Sequence, residues 1–82
     1  MDLHLILKNI QEILNSYTEL ERKELTTSID YTRDLDMDSF TVLQFLEQVE
    51  EDFSVSLSPA EILSEENHTL IGLAGLVKQK IK

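Results

Sequence analysis

Three stretches of this chain repeat apolar residues at intervals of three and four, and that spacing leaves little choice of architecture. Leu3, Ile6, Leu7, Ile10, Ile13, Leu14 and Tyr17 form one set. Val42, Phe45, Leu46, Val49 and Phe53, with Leu43 beside them, form a second, and Leu70, Leu73, Ala74, Val77 and Ile81 a third. At 3.6 residues per turn each set lies on one face of a helix. Such a face must be buried against another element, and with no pair of strands in view the helices have only one another. The expected fold is all-α: a small four-helix bundle, three longer helices plus one short helix, with a long loop between the first two. The 82 residues are taken as a single domain, 1–82, near the lower size limit for a core without staples. With no cysteine, neither a disulfide framework nor a thiolate metal site supports that core.

Local signals place the helix ends. Asp2 is suited to cap a helix over about residues 2–17, and Asp38 or Ser39 one over 39–53. Ser58-Pro59-Ala60-Glu61 combines a capping Ser, Pro at the first helical position and Glu three residues after the cap, and it opens a short helix over about 59–64. Thr69 starts a last helix, 69–81, whose Lys78, Lys80 and Lys82 suit its negative C-terminal end. Gly72 and Gly75 each cost that helix about 1 kcal/mol relative to Ala, so packing must hold it. Residues 18–38 lose the period. Leu25, Ile29 and Leu35 are expected to anchor this loop to the bundle, with a helical turn near Leu20–Leu25. Val55 and Leu57 alternate, but without a partner strand they read as extended loop.

Charge narrows the range of functions. The net charge is −9, and residues 30–66 hold eleven acids against Arg33 alone, a net of −10. Nucleic acid is excluded as a partner by its own negative charge. A block of one sign is either a solvated surface or a face that meets basic partners. Glu47, Glu50 and Glu51 fall off the second stripe and are expected to face water. No apolar run approaches the roughly 20 residues of a membrane span, and Met1-Asp2-Leu3-His4 lacks the basic start of a secretory signal. A cytoplasmic monomer is expected.

Little here could support catalysis. His4 and His68 do not stand at metal-ligand spacing, and there is no glycine-rich phosphate loop or nucleophile elbow. Both histidines read as surface or partly buried residues, and the chain is not expected to be an enzyme. Asp34-Leu35-Asp36-Met37-Asp38-Ser39 opens like a helix-loop-helix calcium loop, which needs Gly at its sixth position and Glu at its twelfth. Those places hold Ser39 and Phe45, so that reading fails, and only weak, diffuse binding of divalent cations to the acidic face is expected.

Ser39 stands where an acidic loop meets the start of the second helix. The unpaired N–H groups and partial positive charge of a helix start suit a phosphoryl group; on these residues alone, a simple cap is the preferred reading of Ser39. The surrounding residues resemble those of acyl carrier proteins. Leu35-Asp36-Met37-Asp38-Ser39-Phe40, then Val42, Leu43, Phe45, Leu46, Val49, Glu50, Phe53, Val55 and Leu57, are similar to that family's phosphopantetheine-attachment region. There an Asp-Ser-Leu tripeptide opens the second helix and a Leu-Glu-x-x-Phe-x-Val-x-Leu tail closes it, here Val49-Glu50-Glu51-Asp52-Phe53-Ser54-Val55-Ser56-Leu57. Thr69-Leu70-Ile71 also resembles the start of the family's last helix.

The resemblance implies a 4′-phosphopantetheine arm, taken from coenzyme A and joined to Ser39 by a phosphopantetheinyl transferase, bearing an acyl group as a thioester. It implies that Asp38 holds the serine at the helix start. Asp36, Phe40, Glu47, Glu50 and Glu51 would meet acyl-loading, condensing or modifying enzymes with basic docking patches. Phe40 is either such a contact or a half-buried core residue. The cargo is expected either between the second and last helices, near Leu46, Ile62 and Leu76, or in solvent. Asp36 stands where the family usually has Gly, Phe40 where Leu is commoner, and Glu47 where many fatty-acid carriers are apolar. Thr41 and Gln44 are uncharged where those carriers are often acidic. These departures point to polyketide or other specialised biosynthesis ahead of general fatty-acid synthesis. A D-alanyl or peptidyl carrier of activated amino acids, or an unmodified acidic helical interaction module, are the alternatives.

Overall fold

A computed structural model describes residues 2–18, 27–35 and 37–81. Among the described residues four α-helices follow in order: α1 Leu3–Asn15, α2 Ser39–Phe53, α3 Pro59–Leu63 and α4 Leu70–Lys80, with a 3-10 helix, Glu65–Asn67, between α3 and α4. The bundle of three longer helices and one short one is the fold read from the apolar spacing. Each stripe is buried much as its period requires: Ile6, Leu7, Ile10, Ile13 and Leu14 on α1, Phe45, Leu46 and Val49 on α2, and Leu70, Leu73, Ala74 and Val77 on α4. Helix α1 packs most extensively on α4 and also against α2, and the 3-10 helix lies against α4.

The helix ends are fixed by short-range polar chemistry. Asp2 accepts the His4 N–H at 3.2 Å. Ser58 and Glu61 form the reciprocal capping box, with Pro59 at the first position; α3 then stops at Leu63, one residue before the expected end. Thr69 caps α4 from outside, accepting the Gly72 N–H at 3.1 Å, and Ile81 likewise lies beyond the last turn. Helix α2 ends at Ser54 in the left-handed region (φ 54°), a conformation that usually falls to Gly or Asn. Beyond it residues 55–58 belong to no strand, as expected.

The described end of the first loop is sewn to α4. The carbonyls of Ile29 and Thr27 accept the N–H groups of Leu70 (3.1 Å) and Ile71 (2.9 Å), and the Tyr31 N–H donates to the His68 carbonyl at 3.0 Å. Ile29 packs against the core and Leu35 is buried, as anchors should be. Leu25 and the turn expected near Leu20–Leu25 lie outside the described residues. The largest anchor is one that periodicity does not reveal. Tyr31 is fully buried, edge-on to Phe45 with ring centroids 5.2 Å apart, and its hydroxyl donates to the Asn67 carbonyl at 2.5 Å. Burial, with the nearby Asp30 charge second, raises the pKa of that phenol well above its usual value, so it stays a donor.

Candidate functional site at the start of the second helix

The chain enters α2 through Asp38, which is extended while Ser39 is helical. Asp38 is therefore the cap, and Ser39 the first residue inside. The Asp38 carboxylate accepts the Thr41 N–H at 2.8 Å, and its carbonyl takes the Val42 N–H at 3.0 Å. Chiefly through the Thr41 N–H, then the Thr41 hydroxyl, the carboxyl is held below the ordinary Asp range. With Asp38 supplying the cap, the exposed Ser39 hydroxyl is free of that duty. It has no hydrogen-bond partner among the described residues, and neither do the Ser39 and Phe40 N–H groups. A hydroxyl open to solvent beside two unspent donors at a positive helix end suits a phosphodiester. Around it, Phe40 is 68% exposed and Leu43, one turn on, is 49% exposed, so residues three apart offer an apolar strip on one face.

Residues 8–77 match the family described as the phosphopantetheine attachment site. The chain belongs to this phosphopantetheine-attachment family. Comparison with curated proteins gives no match. Among solved structures, the fold is similar to the acyl carrier protein from Enterococcus faecalis: TM-score 0.79 at 20% identity, covering 98% of this chain and 99% of that one. As a member of this family it is a carrier and not an enzyme. Its cofactor is 4′-phosphopantetheine, held covalently, and it works with a phosphopantetheinyl transferase and biosynthetic enzymes. The open helix start has the chemistry that such an arm requires.

The carrier's other expected site residues divide into three groups. Phe40, Glu47 and Glu51 are exposed, so Phe40 is not the half-buried core residue that was its alternative. Glu50 departs from expectation: it does not face open water. It is half-buried, and its carboxylate accepts the Leu57 N–H at 2.8 Å, tying the extended segment back onto α2. The left-handed turn at Ser54 brings Leu57 there, a fold-back that helical spacing could not foretell. Asp36 lies outside the described residues.

Leu46, Ile62 and Leu76 do come together, in a narrow cleft that Tyr31 and Asn67 also line. Sequence reasoning missed Tyr31, Asn67 and the exposed Leu43; the last was visible only as an apolar residue off the buried stripe. His4 is exposed, and His68 places Nε2 2.8 Å from the Ile62 carbonyl, an internal bond. Among the described residues no cluster of His, Asp or Glu is arranged to hold a metal ion. No helix among them is long and apolar enough to cross a membrane.

Proposed function

We propose that Ser39 carries the arm, and that the carrier serves a dedicated partner set in polyketide or other specialised biosynthesis. One observation supports the assignment above the rest: Asp38 takes the capping duty, leaving the adjacent Ser39 hydroxyl exposed beside two unpaired N–H groups. The transferase supplies the activation. The Ser39 hydroxyl attacks the β-phosphorus of coenzyme A, giving up its proton to a base on the transferase. The phosphoanhydride bond breaks, and adenosine 3′,5′-bisphosphate leaves. The product is a phosphodiester whose arm ends in the thiol that this cysteine-free chain lacks. When bound, the arm supplies thioester chemistry at an effective concentration of about millimolar to each docked enzyme.

The chain's own residues bind and orient. Asp38 fixes the helix start, Phe40 and Leu43 offer apolar contact, and Glu47 and Glu51 meet lysines or arginines of the partner. Glu50 is spent on Leu57 and contributes to the acidic field alone. The chain acts as a monomeric single domain in the cytoplasm, where coenzyme A is available. A carrier of activated amino acids differs from this in its cargo and not in its arm.

Incubation with coenzyme A, magnesium and a permissive phosphopantetheinyl transferase, followed by intact mass, tests the assignment. One phosphopantetheine should be gained, and Ser39→Ala should abolish the gain. An unchanged mass, with the protein folded and the transferase active on a control carrier, would instead identify an unmodified acidic interaction module.

A further inference from the structure

The cleft between α2, α3 and α4, where Leu46, Ile62 and Leu76 meet, is shut. Tyr31, Leu46, Ile62, Asn67, Leu73 and Leu76 border it and leave no room for a water. A methylene is about as large as a water, whose share of liquid volume is about 30 Å³. No aliphatic chain enters unless a wall moves.

The walls are pinned. Tyr31 presses its ring edge-on to Phe45 and ties its hydroxyl to the Asn67 carbonyl. The Asn67 side-chain amide donates to the Glu61 carbonyl at 2.9 Å, and His68 Nε2 to the Ile62 carbonyl at 2.8 Å. Lys80 pairs with the Glu61 carboxylate at 2.9 Å. Helix α3, which carries Ile62, is thus held by Asn67 of the 3-10 helix, by His68 and by the end of α4, and Tyr31 in turn holds Asn67. Moving α3 outward breaks the bonds to Glu61 and Ile62 in concert, and moving Tyr31 strips Phe45 of the nearer of its ring partners, leaving Tyr17.

We propose that Tyr31 is a specificity-determining plug. It keeps the cleft closed, so the acyl group on the arm stays in solvent until a partner enzyme takes it. A long aliphatic chain left in water adheres to other apolar surfaces, whereas a short or oxygen-bearing one is well solvated. The cargo class that fits is therefore short or oxygenated acyl groups. This inference rests on the arm being attached as proposed above, since only a tethered acyl group has this choice of environment.

Holo-protein bearing acetyl, butyryl or octanoyl thioesters tests it, through the rate of cleavage by neutral hydroxylamine relative to the same acyl group on free pantetheine. All three relative rates should agree within about twofold, and octanoyl should leave the methyl NMR signals of Leu46, Ile62 and Leu76 in place. In Tyr31→Leu, octanoyl cleavage should slow by about fivefold, as sheltering four-fifths of the population would produce, with acetyl unchanged. Protection of octanoyl by that factor in the unaltered protein overturns the proposal. A folded Tyr31→Leu protein that still leaves octanoyl unprotected overturns the assignment to Tyr31. If that variant fails to fold, the chain-length series on the unaltered protein decides alone. Absence of the arm from the intact mass is a different result, seen before any cargo is loaded, and it counts against Ser39 and not against the plug.

Discussion

Two helices of this bundle begin in opposite ways. At the start of α4 every donor is spent: Leu70 and Ile71 give their N–H groups to loop carbonyls, and Gly72 gives its own to the Thr69 hydroxyl. At the start of α2 only the Thr41 N–H meets a cap, and the Ser39 and Phe40 donors have no partner among the described residues. Leu70, the first residue of α4, is fully buried; Ser39, the first residue of α2, is exposed. Both ends carry the same positive partial charge. The contrast shows where the fold invests its polar bonds: it closes the helix start that faces its own loop and leaves open the one that can receive an outside group.

The two phenylalanines of α2 give the sharpest form of the contrast. Phe45 is wholly buried against Tyr31 and Tyr17, while Phe40 is 68% exposed. Phe45→Ala should cost about 3–5 kcal/mol, as losing a buried aromatic ring typically does. Phe40→Ala should fall within about 0.5 kcal/mol of the parent. Urea titrations monitored by circular dichroism measure both, and comparable losses would mean that the two ends of α2 are not distinct in burial.

The glycines of α4 come next. A methyl group at Gly72 would lie 1.9 Å from the Glu66 carbonyl oxygen, whereas at Gly75 it would meet nothing within 4 Å. Gly72→Ala must push the 3-10 helix off α4 and should cost about 1–3 kcal/mol, the usual penalty of overpacking. Gly75→Ala removes a flexible residue from an unobstructed turn and should stabilise by up to about 1 kcal/mol. Paired thermal melts read the signs directly. Two changes of the same sign would break the claim that the closed helix start is closed by contact.

Smaller still are the changes at the two helix starts themselves. Thr69→Ala removes the hydroxyl that serves the buried end and should lose about 1 kcal/mol. Ser39→Ala touches no bond among the described residues and should stay within about 0.5 kcal/mol, with its melting curve nearly that of the parent. The mass assay then separates function from stability, because the variant that leaves the fold undisturbed is the one expected to lose the arm.

The same contrast explains what could be read from the sequence. Helix faces were legible because burial along a helix repeats every three or four residues, and Ser58, Pro59 and Glu61 marked α3 because capping is local. The Asp38-Ser39 junction was legible for the same reason, although the choice of cap between them was not. Tyr31, Asp30 and Asn67 were not legible. Their burial arises where the loop meets α4 and the 3-10 helix, and no spacing along the chain encodes that meeting. Glu50 was misjudged on the same ground: its place on the helix faces outward, but the extended segment after Ser54 folds back over it. What is local in the chain could be anticipated, and what two distant segments make together could not.

Acid should produce the smallest and most diagnostic effect. Hydrogen bonds from Thr41 lower the pKa of Asp38, and those from the Ser58 N–H and Lys80 lower that of Glu61. At Asp30 burial alone would raise it, but donors from Thr32 and Arg33 prevail and the net shift is downward. A carboxylate whose folded pKa is depressed binds protons more readily when unfolded, so its stabilisation is present above about pH 4, its ordinary range, and is lost as the pH falls through the lower folded value. The urea midpoint should therefore hold through the range above that and decline below it. Asp38→Asn keeps a capping side chain but cannot titrate. It should be less stable than the parent near neutrality, approach it in acid and so show a shallower decline, with the limbs due to Asp30 and Glu61 intact. An acid limb unchanged in this variant would mean that the charge on Asp38 does nothing for the helix it starts, and that the open end depends on hydrogen-bond geometry alone.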